Sequence, residues 1–152
     1  MTTSLIKEIQ TEGNGLMKNK PCNIRFVPSK SGKITFHIRD EKPFELIADN
    51  VVATDHCVVL GDAKNKRNQT MLTEHLTAAI AFCGINSLDI YMDENEVPIL
   101  DGSSKQWVEL FKSAGWKMPP LDTIVFIRTT MLEENSTLAY THGTQIYLGD
   151  FI

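Results

Sequence analysis

The chain has 152 residues, of which 42% are hydrophobic and 22% are charged, and its formal net charge at pH 7 is −4. Such a composition excludes a disordered chain, the net negative charge argues against a nucleic-acid-binding protein, and no apolar run reaches the roughly 18 residues of a membrane-spanning helix. The three cysteines form no CxxC pair and the N-terminus has no apolar signal core, so we expect a cytoplasmic protein with free thiols.

The first part of the chain is typical of β-strands. Short apolar or alternating stretches predict strands at 5–10, 22–28, 33–39 and 57–60. The first two are joined by the glycine-rich turn Gly13-Asn14-Gly15, and polar residues 62–69 predict a loop.

Two helices are predicted, over 73–83 and about 104–114, with a strand between them that alternates Leu88, Ile90 and Met92. Their apolar stripes follow helical spacing and consist of Leu76, Ala79, Ile80 and Cys83 in the first, and Trp107, Leu110, Phe111 and Ala114 in the second. Thr73 is a predicted N-cap, and Gly84 and Gly115 stand where each helix should end. Asp101-Gly102-Ser103 predicts a turn, with Ser103 or Ser104 capping the second helix, rather than a catalytic group.

The pattern changes after Pro119-Pro120, where three further strands are predicted at 123–128, 137–141 and 145–148, with His142 in a hairpin turn. The whole predicts an α+β two-layer sandwich: a mostly antiparallel sheet, two main helices on one face and a short C-terminal β extension. We expect domain boundaries of 1–120 and 121–152. The apolar side chains of the extension must be buried, either on this domain or at an interface. This predicts a homo-oligomer formed through Ile124, Phe126, Leu138, Ile146 and Leu148.

Thr73-Glu74-His75-Leu76 is the stretch with most chemical content. It sets a carboxylate beside an imidazole at the start of a helix, which offers a general base and a metal ligand on one rigid element. Two alternatives stay open. Glu74 is also a common first-turn acid that complements the helix dipole, and His75 could be a helix-start histidine bonded to a backbone carbonyl.

The order of motifs resembles the N-terminal half of UDP-3-O-acyl-N-acetylglucosamine deacetylase, the zinc amidohydrolase family of lipid A biosynthesis. The segments that carry the resemblance are Gly13-Asn14-Gly15-Leu16, 51–61, 72–79, Gly84-Ile85-Asn86 and Val97-Pro98-Ile99-Leu100-Asp101-Gly102-Ser103. The resemblance spans about residues 5–118 and implies an α+β domain, a zinc cofactor and a UDP-acyl-glucosamine substrate.

By this resemblance Glu74 is the general base and His75 one zinc ligand, and His56 and Cys57 lie near the metal. Two departures are visible: Met17 stands where the family pattern has a histidine, and the His-x-x-x-Asp pair that supplies the other zinc ligands in the family's second domain is absent from the sequence. We therefore expect either a deacetylase-like chain whose missing ligands come from a companion chain or a second copy, or a catalytically inactive binding or regulatory relative. Whether the single chain is an enzyme stays open. The extension at 121–152 resembles the start of that second domain.

Overall fold

In the computed structural model the described residues are 2–116, 137–142 and 145–150. The chain divides into two compact units, Met1–Lys117 and Met118–Ile152. The elements of the first unit, in chain order, are β1 (Ile9–Asn14), β2 (Pro21–Pro28), β3 (Ile34–Ile38), β4 (Phe44–Glu45), β5 (Val51–Ala53), β6 (Val59–Gly61), β7 (Gln69–Thr70), α1 (Glu74–Phe82), β8 (Leu88–Met92) and α2 (Lys105–Ala114).

The main sheet has five strands in the order β1-β2-β8-β3-β4, and its pairs are antiparallel except β3 with β8. Strand β8 alternates between the two faces, because Leu88, Ile90 and Met92 are buried while Asp89 and Tyr91 between them are half-buried. This period-two burial is what the sequence predicted for the strand.

Both helices cover one face of the sheet. Phe26 of β2 meets the side chains of α2 edge-on, with ring centroids 6.0 Å from Trp107 and 5.1 Å from Phe111. All three rings are fully buried, and such T-shaped contacts add to the large apolar area that each ring removes from water. Helix α1 buries Leu76, Ala79 and Ile80 against the same core.

The opposite face of the sheet is polar. Arg25, Tyr91 and His37 form one row across β2, β8 and β3. The guanidinium of Arg25 lies 4.5 Å from the Tyr91 ring centroid, and His37 stacks on Tyr91 at 4.2 Å. The predicted α+β sandwich with two helices on one face is confirmed.

A second, three-stranded antiparallel sheet, β5-β6-β7, was not predicted as a sheet. Its strands have two or three residues each, too few to display a period. The apolar run at 57–60 enters it only as β6, and the predicted loop at 62–69 contains a short 3-10 helix, Lys66–Asn68.

The prediction for the first strand was wrong in position. Strand β1 runs through the supposed turn, so that Gly13 pairs with Cys22, and the turn lies at residues 16–18. Gly13 is needed inside the strand because a Cβ atom there would lie 2.9 Å from the Cβ of Pro98. The glycine thus marks close packing rather than a bend.

Helix ends follow the predicted glycines. At the end of α1, Gly84 N donates to Ala81 O at 3.0 Å and Ile85 N to Ile80 O at 3.1 Å, with Gly84 at φ +63°. This is a Schellman motif, which satisfies carbonyls that the helix leaves open. Gly115 ends α2 with φ +72°.

The second unit contains a described antiparallel hairpin, β9 (Thr137–His142) with β10 (Gln145–Asp150). Both predicted strands are confirmed, and His142 is the last residue of β9, paired with Gln145. The predicted strand at 123–128, with Ile124 and Phe126, lies outside the described residues, as do the side chains of Leu138, Ile146 and Leu148. Among the helices described, none is long and apolar enough to cross a membrane.

Candidate active site

Thr73 occupies the N-cap position of α1 but does not cap the helix with its side chain, contrary to prediction. Its hydroxyl Oγ1 instead donates to the carbonyl of Val58 at 3.1 Å, and its backbone N–H donates to the same oxygen at 3.3 Å. Thr73 is fully buried, so a hydroxyl aimed at this carbonyl satisfies a group that water cannot reach. The start of α1 is therefore bonded to the segment before β6.

Glu74 is the first residue of α1, and its carboxylate completes this link. Its Oε2 accepts a hydrogen bond from Val58 N at 3.1 Å. Val58 thus donates its N–H to Glu74 and accepts a hydrogen bond from Thr73 at its carbonyl. The first of these bonds fixes one oxygen of the Glu74 carboxylate. Within residues 2–116 the other oxygen, Oε1, has no hydrogen-bond partner.

Leu72, just before the helix, has a left-handed backbone with φ +62° although it is buried and not a glycine. Such a conformation costs about 1–3 kcal/mol and persists only where neighbouring contacts impose it. Those contacts are present on both sides: Met71 bridges to Glu96, and Thr73 is bonded to Val58. The direction in which Glu74 and His75 leave the chain is therefore set by tethers on each side of Leu72.

His75 is half-buried in the first turn of α1. No hydrogen bond or ion pair to its imidazole is present in the described part of the chain, so the backbone-carbonyl bond that would make it a purely structural residue is not formed there. Glu74 and His75 are adjacent on one helical turn, but their side chains point in directions about 100° apart around the axis.

His56 and Cys57 lie in the bend between β5 and β6. The side chain of His56 is 82% exposed, and its Nε2 lies 3.6 Å from Oδ1 of Asp55. Cys57 is buried, so the two neighbours differ in exposure, and Val58 next in the chain carries the contacts to Glu74. Nowhere in the described residues do three His, Cys, Asp or Glu side chains come together as a possible metal site.

The Asp101-Gly102-Ser103 turn has the structural role expected of it. Gly102 has φ +77°, and Ser103 Oγ accepts from Lys105 N at 3.1 Å. Ser103, not Ser104, therefore supplies the capping oxygen for α2. The hydroxyl and N–H of Ser103 both donate to Asp101, and these bonds lower the pKa of that carboxyl.

Glu96 is a structural acid near the entry to α1 that sequence reasoning did not single out. Its buried carboxylate accepts from Met17 N at 2.6 Å and from Lys18 N at 3.0 Å, so it binds the turn after β1. Met17 is 56% exposed. The sequence shows an acid directly before the Val97-Pro98 segment but not its burial, so its need for partners is visible only in the structure.

Comparison with known proteins identifies the family. The sequence matches the profile of the family described as UDP-3-O-acyl N-acetylglycosamine deacetylase over residues 2–144. The chain belongs to this family. Its relatives include the UDP-3-O-acyl-N-acetylglucosamine deacetylase of Campylobacter lari, 35% identical over 117 residues that make up 76% of this chain and 39% of the relative.

Two further deacetylases of the family extend the comparison. That of Idiomarina loihiensis is 40% identical over 74% of this chain and 37% of its own length, and that of Trichormus variabilis is 32% identical over 74% and 40%. The chain therefore spans about two fifths of the length of these curated relatives.

The residues described here do not fit a complete catalytic zinc site. Such a site takes three protein ligands, whereas His75 is the one imidazole at the start of α1 and the described residues hold no group of three donors. Glu74 and His75 together offer one carboxylate and one imidazole, which is short of the three protein ligands that such a site takes.

Proposed function

We propose that the chain provides the Glu74 and His75 side of a UDP-3-O-acyl-N-acetylglucosamine deacetylase site, a hydrolase of lipid A biosynthesis acting on UDP-acyl-glucosamine. Family membership supports the reaction class. The observation that carries the assignment of Glu74 is its anchored carboxylate, with Oε2 held by Val58 N at 3.1 Å.

Hydrolysis of an acetamide needs a base that takes a proton from the attacking water. A carboxylate with one oxygen fixed and the other open can perform this step, because its orientation is set before the substrate arrives. His75, on the same turn, is the proposed zinc ligand, and zinc would acidify the water and polarise the amide carbonyl. His56 and Cys57 are proposed to border this site through the segment that ends at Val58.

The other metal donors are proposed to come from residues beyond those described, either further along a longer polypeptide, from a companion chain or from a second copy. A homo-oligomer is the simplest of these to test. Light scattering at micromolar concentration should give at least twice the mass of one chain if a second copy completes the site; the mass of a monomer would remove that possibility. The buried free thiols of Cys22, Cys57 and Cys83 suit the cytoplasm, which we propose as the location.

Release of acetate from the acylated UDP-glucosamine substrate tests the function. The complete protein, with zinc added, should release acetate at a rate that falls at least about 100-fold in Glu74→Gln, the range of a lost general base. Glu94→Gln is the matched control, because Glu94 lies beyond the end of β8 and bonds to Arg39, which follows β3. Equal acetate release by wild type and Glu74→Gln would refute the assignment.

A second candidate is a catalytically inactive relative that binds the nucleotide sugar. It is favoured by Met17, whose thioether cannot act as a proton donor where the family pattern has a histidine. The same experiment separates the two. Saturable binding of the substrate without release of acetate, unchanged by Glu74→Gln, is the result expected of the inactive relative.

A further inference from the structure

The carboxylate of Glu96 links two segments that lie far apart in the sequence. On one side it accepts the backbone N–H groups of Met17 and Lys18, at 2.6 and 3.0 Å. On the other side its own backbone lies in a parallel bridge with Met71, in which Met71 N donates to Asn95 O at 3.1 Å and Val97 N donates to Met71 O at 3.0 Å. Met71 is the residue before left-handed Leu72.

Space for this carboxylate is made by Gly15. A Cβ atom on residue 15 would lie 2.4 Å from Cδ of Glu96 and 2.5 Å from its Oε2. Both atoms belong to a side chain that is only 3% exposed, so the carboxylate has little room to move aside. The Glu96 carboxylate therefore packs directly against Gly15, and a side chain at position 15 would displace it.

The energetics favour a rigid link. A carboxylate that accepts two backbone N–H groups forms charge-assisted hydrogen bonds, which are about twice as strong as neutral ones. A second contact supports the first, because Lys18 Nζ donates to Asn95 Oδ1 at 2.6 Å. The turn after β1 is thus bonded to Asn95 and to the β-bridge residue Glu96 by three hydrogen bonds.

We propose that Glu96 is a positioning residue for Glu74: by binding the 16–18 turn to the bridge at Met71, it holds the entry to α1 in the geometry that aims the Glu74 carboxylate. The inference rests on the proposed function for its catalytic consequence and on the described contacts for its structural part. Glu96 has no role in bond making itself.

Hydrogen exchange on the complete protein tests the structural part. In Glu96→Gln one backbone N–H faces an amide donor instead of an acceptor, so exchange at Met17 and Lys18 should accelerate by about 10- to 100-fold. If the link is real, exchange at Met71 and Val97 accelerates as well. Gly15→Ala, which displaces the same carboxylate without removing its charge, should give the same pattern, and Glu94→Gln should give none of it.

Acceleration at Met17 and Lys18 with unchanged exchange at Met71 and Val97 would overturn the proposal, since the contact would then be local to the turn. Should neither variant fold, the wild-type protein decides the matter: the four amides must share one opening with the same denaturant dependence, and separate openings contradict the link.

Steady-state kinetics test the proposed effect of Glu96 on catalysis. Glu96→Gln should lower kcat for acetate release by about tenfold or more with KM nearly unchanged, as expected when the base is misaligned and the substrate contacts are kept. An unchanged kcat would overturn the positioning role. If wild type itself releases no acetate, the proposed function fails, while the exchange experiment still decides whether Glu96 couples the turn to α1.

Discussion

Replacing Glu74 separates its structural contribution from its chemical one. In Glu74→Ala, Val58 N loses its acceptor, and a hydrogen bond to a charged acceptor contributes about 1.5–3 kcal/mol. The first-turn carboxylate also interacts with the helix dipole, worth about 0.3–1 kcal/mol. Because Glu74 is half-buried, we take the lower end of both ranges and expect a loss of about 2 kcal/mol. Glu74→Gln keeps a neutral acceptor for Val58 N and should lose about 1 kcal/mol.

Urea denaturation of the two variants measures these losses. The slope of the free energy with denaturant should stay the same, so that the midpoint alone reports stability. The order wild type, Glu74→Gln, Glu74→Ala is the essential result. If Glu74→Ala unfolds at the wild-type midpoint, the carboxylate is not engaged with Val58, and the orientation argued for the base is wrong.

Three further predictions concern glycine conformation, a buried thiol and a buried indole. Gly61→Ala should lower the free energy of unfolding by about 3 kcal/mol or more, because at φ +136° the new Cβ would lie 2.1 Å from the backbone oxygen of Asn68. Gly102→Ala, at φ +77° in open space, should lower it by only about 1–2 kcal/mol. Equal urea midpoints for the two variants would contradict this. Burial raises the pKa of Cys22 from 9.0 to about 12, so the unfolded chain releases this proton first, and stability should fall between pH 9 and 12 by up to about 1.4 kcal/mol per unit. Cys22→Ala should flatten that slope in urea titrations across this range, and an unchanged slope would exclude the thiol as its source. Trp107→Phe should cost only about 1–2 kcal/mol by thermal denaturation, since Nε1 of Trp107 is buried with no hydrogen-bond partner in the described residues; a loss above about 4 kcal/mol would indicate a partner.

The sequence predicted those elements whose burial follows a period. Strand β8 and both helices bury the residues that their patterns indicated, except Leu110 of α2, which is half-buried, because each element packs one face against a single core. Strand β1 was misplaced since Gly13 and Gly15 suggest a turn, whereas both glycines instead make room for other residues, Pro98 and Glu96. A close approach of this kind cannot be read from local sequence.

The candidate site was predictable in part. Glu74 and His75 stand out because two chemically active side chains open a helix. The tethers that orient them join Val58 to α1 and Glu96 to the 16–18 turn, and the latter contacts cross 78 and 79 residues. Pairing over such separations depends on the fold as a whole, as does the parallel pairing of β3 with β8.

Zinc titration of the 152-residue chain by itself, with wild type, His75→Ala and His56→Ala compared, tests the central claim most directly. If the described residues provide one side of a metal site, wild-type zinc is bound weakly and removed by dialysis against a chelator, His75→Ala weakens it further, and His56→Ala leaves it nearly unchanged. Tight, stoichiometric zinc in a monomer of these 152 residues that survives both the chelator and His75→Ala would contradict the account.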